Sequence, residues 1–151
     1  MDRIIFITIA IVTIAIVIFV GDALYIGLWY YIAIPAIAYL ICIPFKPEKF
    51  FLSGAGIAIL LAYTPYFIHN LLAKSPEGLI GLGHLYSLPG LYIGIIFAVI
   101  YLQHHKTHTP LIFMIGLCGT LGGFLINQFI SCNTLLYCNA LIWPLSLFTL
   151  K

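Results

Sequence analysis

Few residues in this chain can do chemistry, and their spacing sorts them quickly. His69 and Asn70 follow Pro65 by about one turn of a helix. Paired with Asp22 or His84, His69 would make an acid–base couple. A lone histidine near a helix end more often hydrogen-bonds a neighbouring carbonyl. Ser53 stands in Leu-Ser-Gly-Ala-Gly, which lacks the glycine spacing of a serine nucleophile elbow. Neither a His-Glu-x-x-His zinc motif nor a phosphate-cradling glycine loop is present. No catalytic residue is expected, and the chain leans away from being an enzyme.

His104, His105, Lys106 and His108 form a second cluster. His104 and His108 would share a face if the segment were helical. However, a zinc site needs further ligands, Lys106 repels a cation, and Pro110 discourages helix there. A solvated connector is the expectation, with no metal and no cofactor. A b-type haem would need two histidines facing each other, and only His69 is placed for that. Cys132 and Cys138 flank a short polar loop, Asn-Thr-Leu-Leu-Tyr. A structural disulfide between them is expected. A redox relay needs Cys-x-x-Cys spacing and a shuttle pair, and both are missing. Cys42 and Cys118 lie in apolar runs and read as small hydrophobes.

The elements that hold these residues are apolar. Of 151 residues, 64% are hydrophobic and 7% charged, whereas soluble domains carry about 25% charged residues. This is a single integral membrane domain over residues 1–151. A net charge of +2 without any basic patch excludes nucleic acid as a partner. Residues 4–20 are unbroken apolar sequence, about 26 Å as a helix, and read as a retained first span. The segment exceeds a signal-peptide core, and Val20-Gly21-Asp22 is a poor cleavage site. Further helices are predicted at 24–44, 51–73, 87–103 and 109–130. Ser87 and Thr109 serve as caps, with Pro89 and Pro110 in the first turns.

Gly81, Gly83 and His84 interrupt residues 79–87, which are therefore expected to lie along the membrane surface. Residues 140–150 are too short to span and are expected at the interface. The fold class is thus all-α: a polytopic bundle of about five transmembrane helices. The turn Lys46-Pro-Glu-Lys49 orients it. With the amino terminus cytoplasmic, Arg3, Lys46, Lys49 and Lys106 lie inside, leaving Lys74 and Lys151 outside. This satisfies the positive-inside rule and puts the carboxyl terminus outside. A bacterial inner membrane is the expected location.

Small-residue stripes recur at four-residue spacing: Gly54-Ala58-Ala62, Gly90-Gly94-Ala98 and Gly119-Gly123. Such stripes let helix backbones approach closely. They are expected to pack one chain, with homodimerisation the minor reading. No charged residue falls mid-helix, which weakens a transporter reading, and paired broken helices in inverted repeats are not evident.

In this topology the aromatic and amide side chains gather towards the outer half. The candidate binding surface there is Asp22, Trp29, Tyr66, His69, Asn70, His84 and Asn127. With the bilayer as solvent and no catalytic motif, the expected function is protein–protein interaction in the membrane. A toxin or bacteriocin immunity protein, or an accessory subunit of a membrane complex, would fit. The rival expectation is a lipid- or small-molecule-binding protein, or an enzyme, using an outer cavity around His69, Asn70 and Asp22.

Overall fold

The computed structural model describes residues 2–22, 24, 26–72, 80–105 and 107–134, with backbone only at 69, 70, 72, 80 and 133. The connector 74–78, the terminal segment 140–150, Lys106 and Cys138 lie outside the described residues. Five helices account for the regular structure among the described residues. They are α1 (Asp2–Val20), α2 (Leu28–Phe45), α3 (Phe51–Leu72), α4 (Ile80–His104) and α5 (Thr109–Thr134). All five are long and apolar enough to cross a membrane.

The helix α3 is the centre of the bundle. In its stretch Phe51–Ile68, 67% of residues are buried, against 17% in α1. Helix α5 packs along α3 and α4, α1 lies on α3, and α2 runs beside α4 and α1. Successive helices alternate in direction, as their end contacts show. At one end, the Asp2 carboxylate of α1 accepts from the backbone amides of Leu52 (3.1 Å) and Ser53 (2.8 Å) in α3. The Ser53 hydroxyl also donates to it. Those amides are first-turn donors with no partner inside their own helix, so a residue from another helix caps α3. At the same end, Gln103 of α4 donates to the Phe45 carbonyl of α2. The opposite end joins the start of α2 and α4 to the close of α3 and α5.

The glycine stripes mesh within the chain. Gly90 and Gly94 of α4 face the carbonyls of Gly123 and Gly119 in α5, and Gly119 faces the Ala98 side chain. Gly54 of α3 meets the backbone of Phe113 and Leu117 in α5. A Cβ at Gly94 would fall on a carbonyl oxygen, so backbones touch where side chains would normally stand.

Two element boundaries differ from the sequence expectation, for physical reasons. The second helix begins at Leu28 rather than at 24, because Gly27 stands at φ 101° and the Asp22 carboxylate captures the Leu24 and Gly27 amides. That fixes the preceding residues as a loop. The larger correction concerns 79–87, expected to lie on the membrane surface. Residues 80–87 are instead the first two turns of α4. Ser87 is not a cap: it sits mid-helix and donates to the Gly83 carbonyl one turn back. Pro89 likewise lies inside the helix. Two of the three residues that broke the apolar run, Gly81 and His84, point to protein rather than to lipid, whereas Gly83 faces open space. Gly81 lets the Leu24 carbonyl approach, and His84 is buried.

Pro110 lies in the first turn of α5 as anticipated, but Thr109 is already helical and is not the cap: the Leu111 and Ile112 amides turn back to the carbonyl of His108, which holds that position. The Lys46–Lys49 turn sits between α2 and α3. Lys46 closes α2 in the left-handed region, its amide bonded to the Cys42 carbonyl at 3.2 Å.

Candidate functional site

At the end of the bundle holding Asp22, four helices deliver aromatic side chains to one point. Helix α4 places His84 there, at the head of a buried face that continues through Leu88, Leu91 and Ile95. Their spacing of four, three and four residues is that of a helix stripe. From α3 come Tyr63 and Tyr66, from α2 Tyr30 and Tyr31, and from α5 Phe124 and Gln128. His84 is 1% exposed.

His84 sits in a cage of rings. Tyr63 stacks on it in near-parallel planes, 4.9 Å between centroids and 9° apart. Tyr66 meets it edge-on at 5.0 Å, and Phe124 tilts against it at 5.1 Å. The Tyr30 hydroxyl lies 2.8 Å from His84 Nδ1, and the tautomer decides which of the two donates. A second ring layer follows, with Tyr31 against Tyr63 at 5.0 Å and against Phe67 at 6.1 Å. Edge and offset contacts of this kind exceed plain area burial by about 0.5–1.5 kcal/mol per pair. The cage is therefore rigid.

Polar contacts extend it in two directions. Gln128 Nε2 donates to the Tyr66 hydroxyl at 2.8 Å, both residues being buried. On the other side the Tyr31 hydroxyl donates to Asp22 at 2.9 Å. Asp22 also accepts from the Leu24 and Gly27 amides at 3.2 and 2.5 Å. The Asp22 carboxylate thus fixes the α1–α2 loop and, together with the Leu24 amide that also donates to the Tyr31 hydroxyl at 3.3 Å, ties it to the cage.

The sequence-derived candidates separate into three groups. Tyr66 and His84 come together, inside the protein rather than on its surface. Asp22 reaches them through Tyr31, but its carboxylate is committed to the loop and does not pair with His84. Trp29 and Asn127 lie outside the cage. Trp29 is 63% exposed, its indole donating to the Ile26 carbonyl and its ring set edge-on to Tyr30. Asn127 donates to the Tyr86 carbonyl at 2.6 Å, pinning α5 to α4. His69 and Asn70 belong to the last turns of α3, and their side chains lie outside the described residues. Cys132 ends in the last turn of α5. Its expected partner Cys138 falls outside the described part, so the bridge is taken up as a proposal below.

Tyr30, Tyr31, Tyr63 and Gln128 read from sequence as part of an aromatic belt with helix-end amides. The signal that they face inward was present. Tyr63, Tyr66 and Phe67 recur at three- and four-residue spacing on α3, as His84, Leu88 and Leu91 do on α4.

Among the described residues no group of three or more His, Cys, Asp or Glu side chains gathers to hold a metal. Comparison of the chain with family models, curated proteins and solved structures finds no match.

Proposed function

We propose that this chain is an integral membrane protein that acts by binding another membrane protein within the bilayer. A toxin or bacteriocin immunity protein and an accessory subunit of a membrane complex are the two settings that fit. The observation carrying this reading is a rim of exposed aromatic side chains on a rigid base. Phe19, Trp29, Tyr86 and Phe129 are all exposed at the end of the bundle that contains the His84 cage. Trp29 is held in place by its indole hydrogen bond. Aromatic anchors fixed before contact lose little freedom on binding, and they dominate interface energetics.

Gentle extraction without delipidation, followed by native mass spectrometry, tests the reading. A stoichiometric second protein is expected. Trp29→Ala should weaken it by about 30-fold or more, the loss typical of a central anchor. Because Trp29 is largely exposed, the variant should extract and melt like the parent. A chain that always flies alone would sink the proposal.

The proposed topology has five spans in a bacterial inner membrane, with the amino terminus cytoplasmic and the carboxyl terminus outside. It is motivated by the placement of Arg3, Lys46, Lys49 and Lys106 against Lys74 and Lys151. A membrane-impermeant amine reagent applied to intact cells should modify Lys74 and Lys151 and spare Lys46, Lys49 and Lys106. Modification of the second set alone would invert the topology. We also propose that Cys132 and Cys138 are bridged on the outer face, where disulfides persist. The intact mass would then fall below that of the reduced chain by one hydrogen molecule, and identical masses would exclude the bridge.

A second reading has the chain bind a lipid or small molecule, with or without turning it over, using the outer end around His69, Asn70 and Asp22. It is favoured by a separate observation: among the described residues, His84 Nε2 and the hydroxyls of Tyr63 and Tyr92 are buried without a hydrogen-bond partner.

A further inference from the structure

Charged side chains at the ends of membrane spans reach the level of the lipid head groups. The turn joining α2 to α3 carries Lys46, Glu48 and Lys49, at the end of the bundle opposite the His84 cage. Among the described residues, neither the Lys46 ammonium nor the Glu48 carboxylate is engaged in an ion pair or a side-chain hydrogen bond. Their backbone is nonetheless fixed. Lys46 stands in the left-handed region at φ 47°, its amide on the Cys42 and Ile43 carbonyls. Pro47 restricts the next φ, and the Phe51 amide donates to the Glu48 carbonyl at 3.3 Å. Two opposite charges are thus held close in sequence on a locked turn.

That turn and the close of α4 enclose a cavity of about 200 Å³. At about 30 Å³ for each water of liquid, it has the volume of about seven waters. Phe45, Pro47, Val99 and Leu102 form its apolar lining, and Lys46, Glu48 and Gln103 its polar one. Val99 and Leu102 belong to the buried core, so the floor is part of the bundle itself. Gln103 spans the two walls, its Nε2 donating to the Phe45 carbonyl at 3.1 Å, which leaves its amide oxygen as an acceptor. One cation, one anion and one neutral acceptor therefore share a cavity where the apolar spans α2 and α4 end.

We infer that this cavity binds the head group of a zwitterionic phospholipid with a primary ammonium, an ethanolamine phospholipid. Lys46 meets the phosphate, Glu48 and the Gln103 amide oxygen accept from the ammonium, and the acyl chains stay in the bilayer beside α2 and α4. Charge selects the class. An anionic head group without an ammonium would satisfy Lys46 and leave Glu48 unanswered. A choline head group has no N–H to give to Glu48 or Gln103. It is suited instead to a cage of aromatic rings, and Phe45 is the single ring in this lining. The volume suits a head group, whereas a partner's helix, about 10 Å across, is too thick to enter. A turn locked before contact loses little freedom on binding. This site does not rest on the exposed aromatic rim, and either can fail without the other.

Native mass spectrometry of the full chain reads the selection. The chain is released from detergent micelles holding equal amounts of ethanolamine, choline and glycerol phospholipids with the same acyl chains. One ethanolamine phospholipid should be retained in preference to the other two. Lys46→Gln should reduce its retention about threefold, the fold-change of one solvent-screened ion pair. Glu48→Gln should reduce it similarly and raise the share of the anionic glycerol lipid. Lys49→Gln removes a like charge from the same turn, but Lys49 does not line the cavity, so the preference should stay unchanged. All three side chains are exposed, and the variants should melt with the parent. Two outcomes overturn the inference. One is equal retention of the three lipids by the parent. The other is a loss in Lys49→Gln that matches Lys46→Gln, which would mean that the turn attracts phosphate only through its general charge.

Discussion

Gly94→Leu is expected to leave almost no folded protein after extraction, and Gly94→Ala to do nearly as much harm. The reason lies in the geometry of the α4–α5 contact. A Cβ built at Gly94 falls on the carbonyl oxygen of Gly119 and close to the Cα of Gly123. Backbone cannot turn away as a flexible side chain can, so the two helices must separate along their whole interface. Overpacking a well-filled core typically costs about 1–3 kcal/mol. A clash with backbone along the most extensive helix contact should exceed that range. Separation would also loosen the meshing of Gly90 with Gly123 and of Gly119 with Ala98.

The control lies in the same two helices. Gly83 of α4 and Gly122 of α5 have nothing within 4 Å of an added Cβ. Alanine at either position should be neutral or stabilising by up to about 1 kcal/mol, since glycine in a helix interior surrenders more backbone freedom. Thermal melting of the four variants in one detergent measures the contrast. If Gly94→Ala melts with Gly122→Ala, the close approach of α4 and α5 is wrong.

This contrast also marks what could be read in the sequence. The stripes Gly54-Ala58-Ala62, Gly90-Gly94-Ala98 and Gly119-Gly123 were legible as helix contacts, because only small residues permit close backbone approach. The spans were legible from their hydropathy, and the Lys46–Lys49 turn from its charge and prolines. Residues 80–87 were misread, and the cause is physical. Hydropathy sums over all sides of a helix, so Gly81, Gly83 and His84 counted against insertion. In the fold Gly81 and His84 are absorbed on the protein side, by the Leu24 carbonyl and by the ring cage. The site was half legible for the same reason. Placing Tyr66, His84 and Asp22 at one end required only topology. Seeing that His84 stacks on Tyr63 and not on Asp22 required the rotation of each helix about its axis, which only the stripe spacing of α3 and α4 hinted at.

Asp22→Ala is the other substitution expected to do great damage, although it lies in a loop. Most loop changes are mild because water replaces what is lost. Here the carboxylate accepts two backbone amides, Leu24 and Gly27, and the Tyr31 hydroxyl, in a loop bridging two helices. Hydrogen bonds to a charged group contribute about 1.5–3 kcal/mol each. Because the site is only part-buried, discounting for water that would enter leaves a loss of about 2–4 kcal/mol in total. The damage should not stay local. Without Asp22 the loop keeps only the Leu24 amide on the Tyr31 hydroxyl, and α2 is freer to shift at Gly21 and Gly27. Tyr30, next in sequence to Tyr31, would then lose its 2.8 Å contact with His84. Asp22→Asn keeps one acceptor oxygen without the charge and should fall between parent and Asp22→Ala. Amide hydrogen exchange in detergent separates this from simple global destabilisation. Protection should be lost first in the opening turns of α2 and α4, with the α3–α5 contact near Gly54 retained. A uniform loss over all helices would show that Asp22 contributes only to overall stability and does not hold the cage.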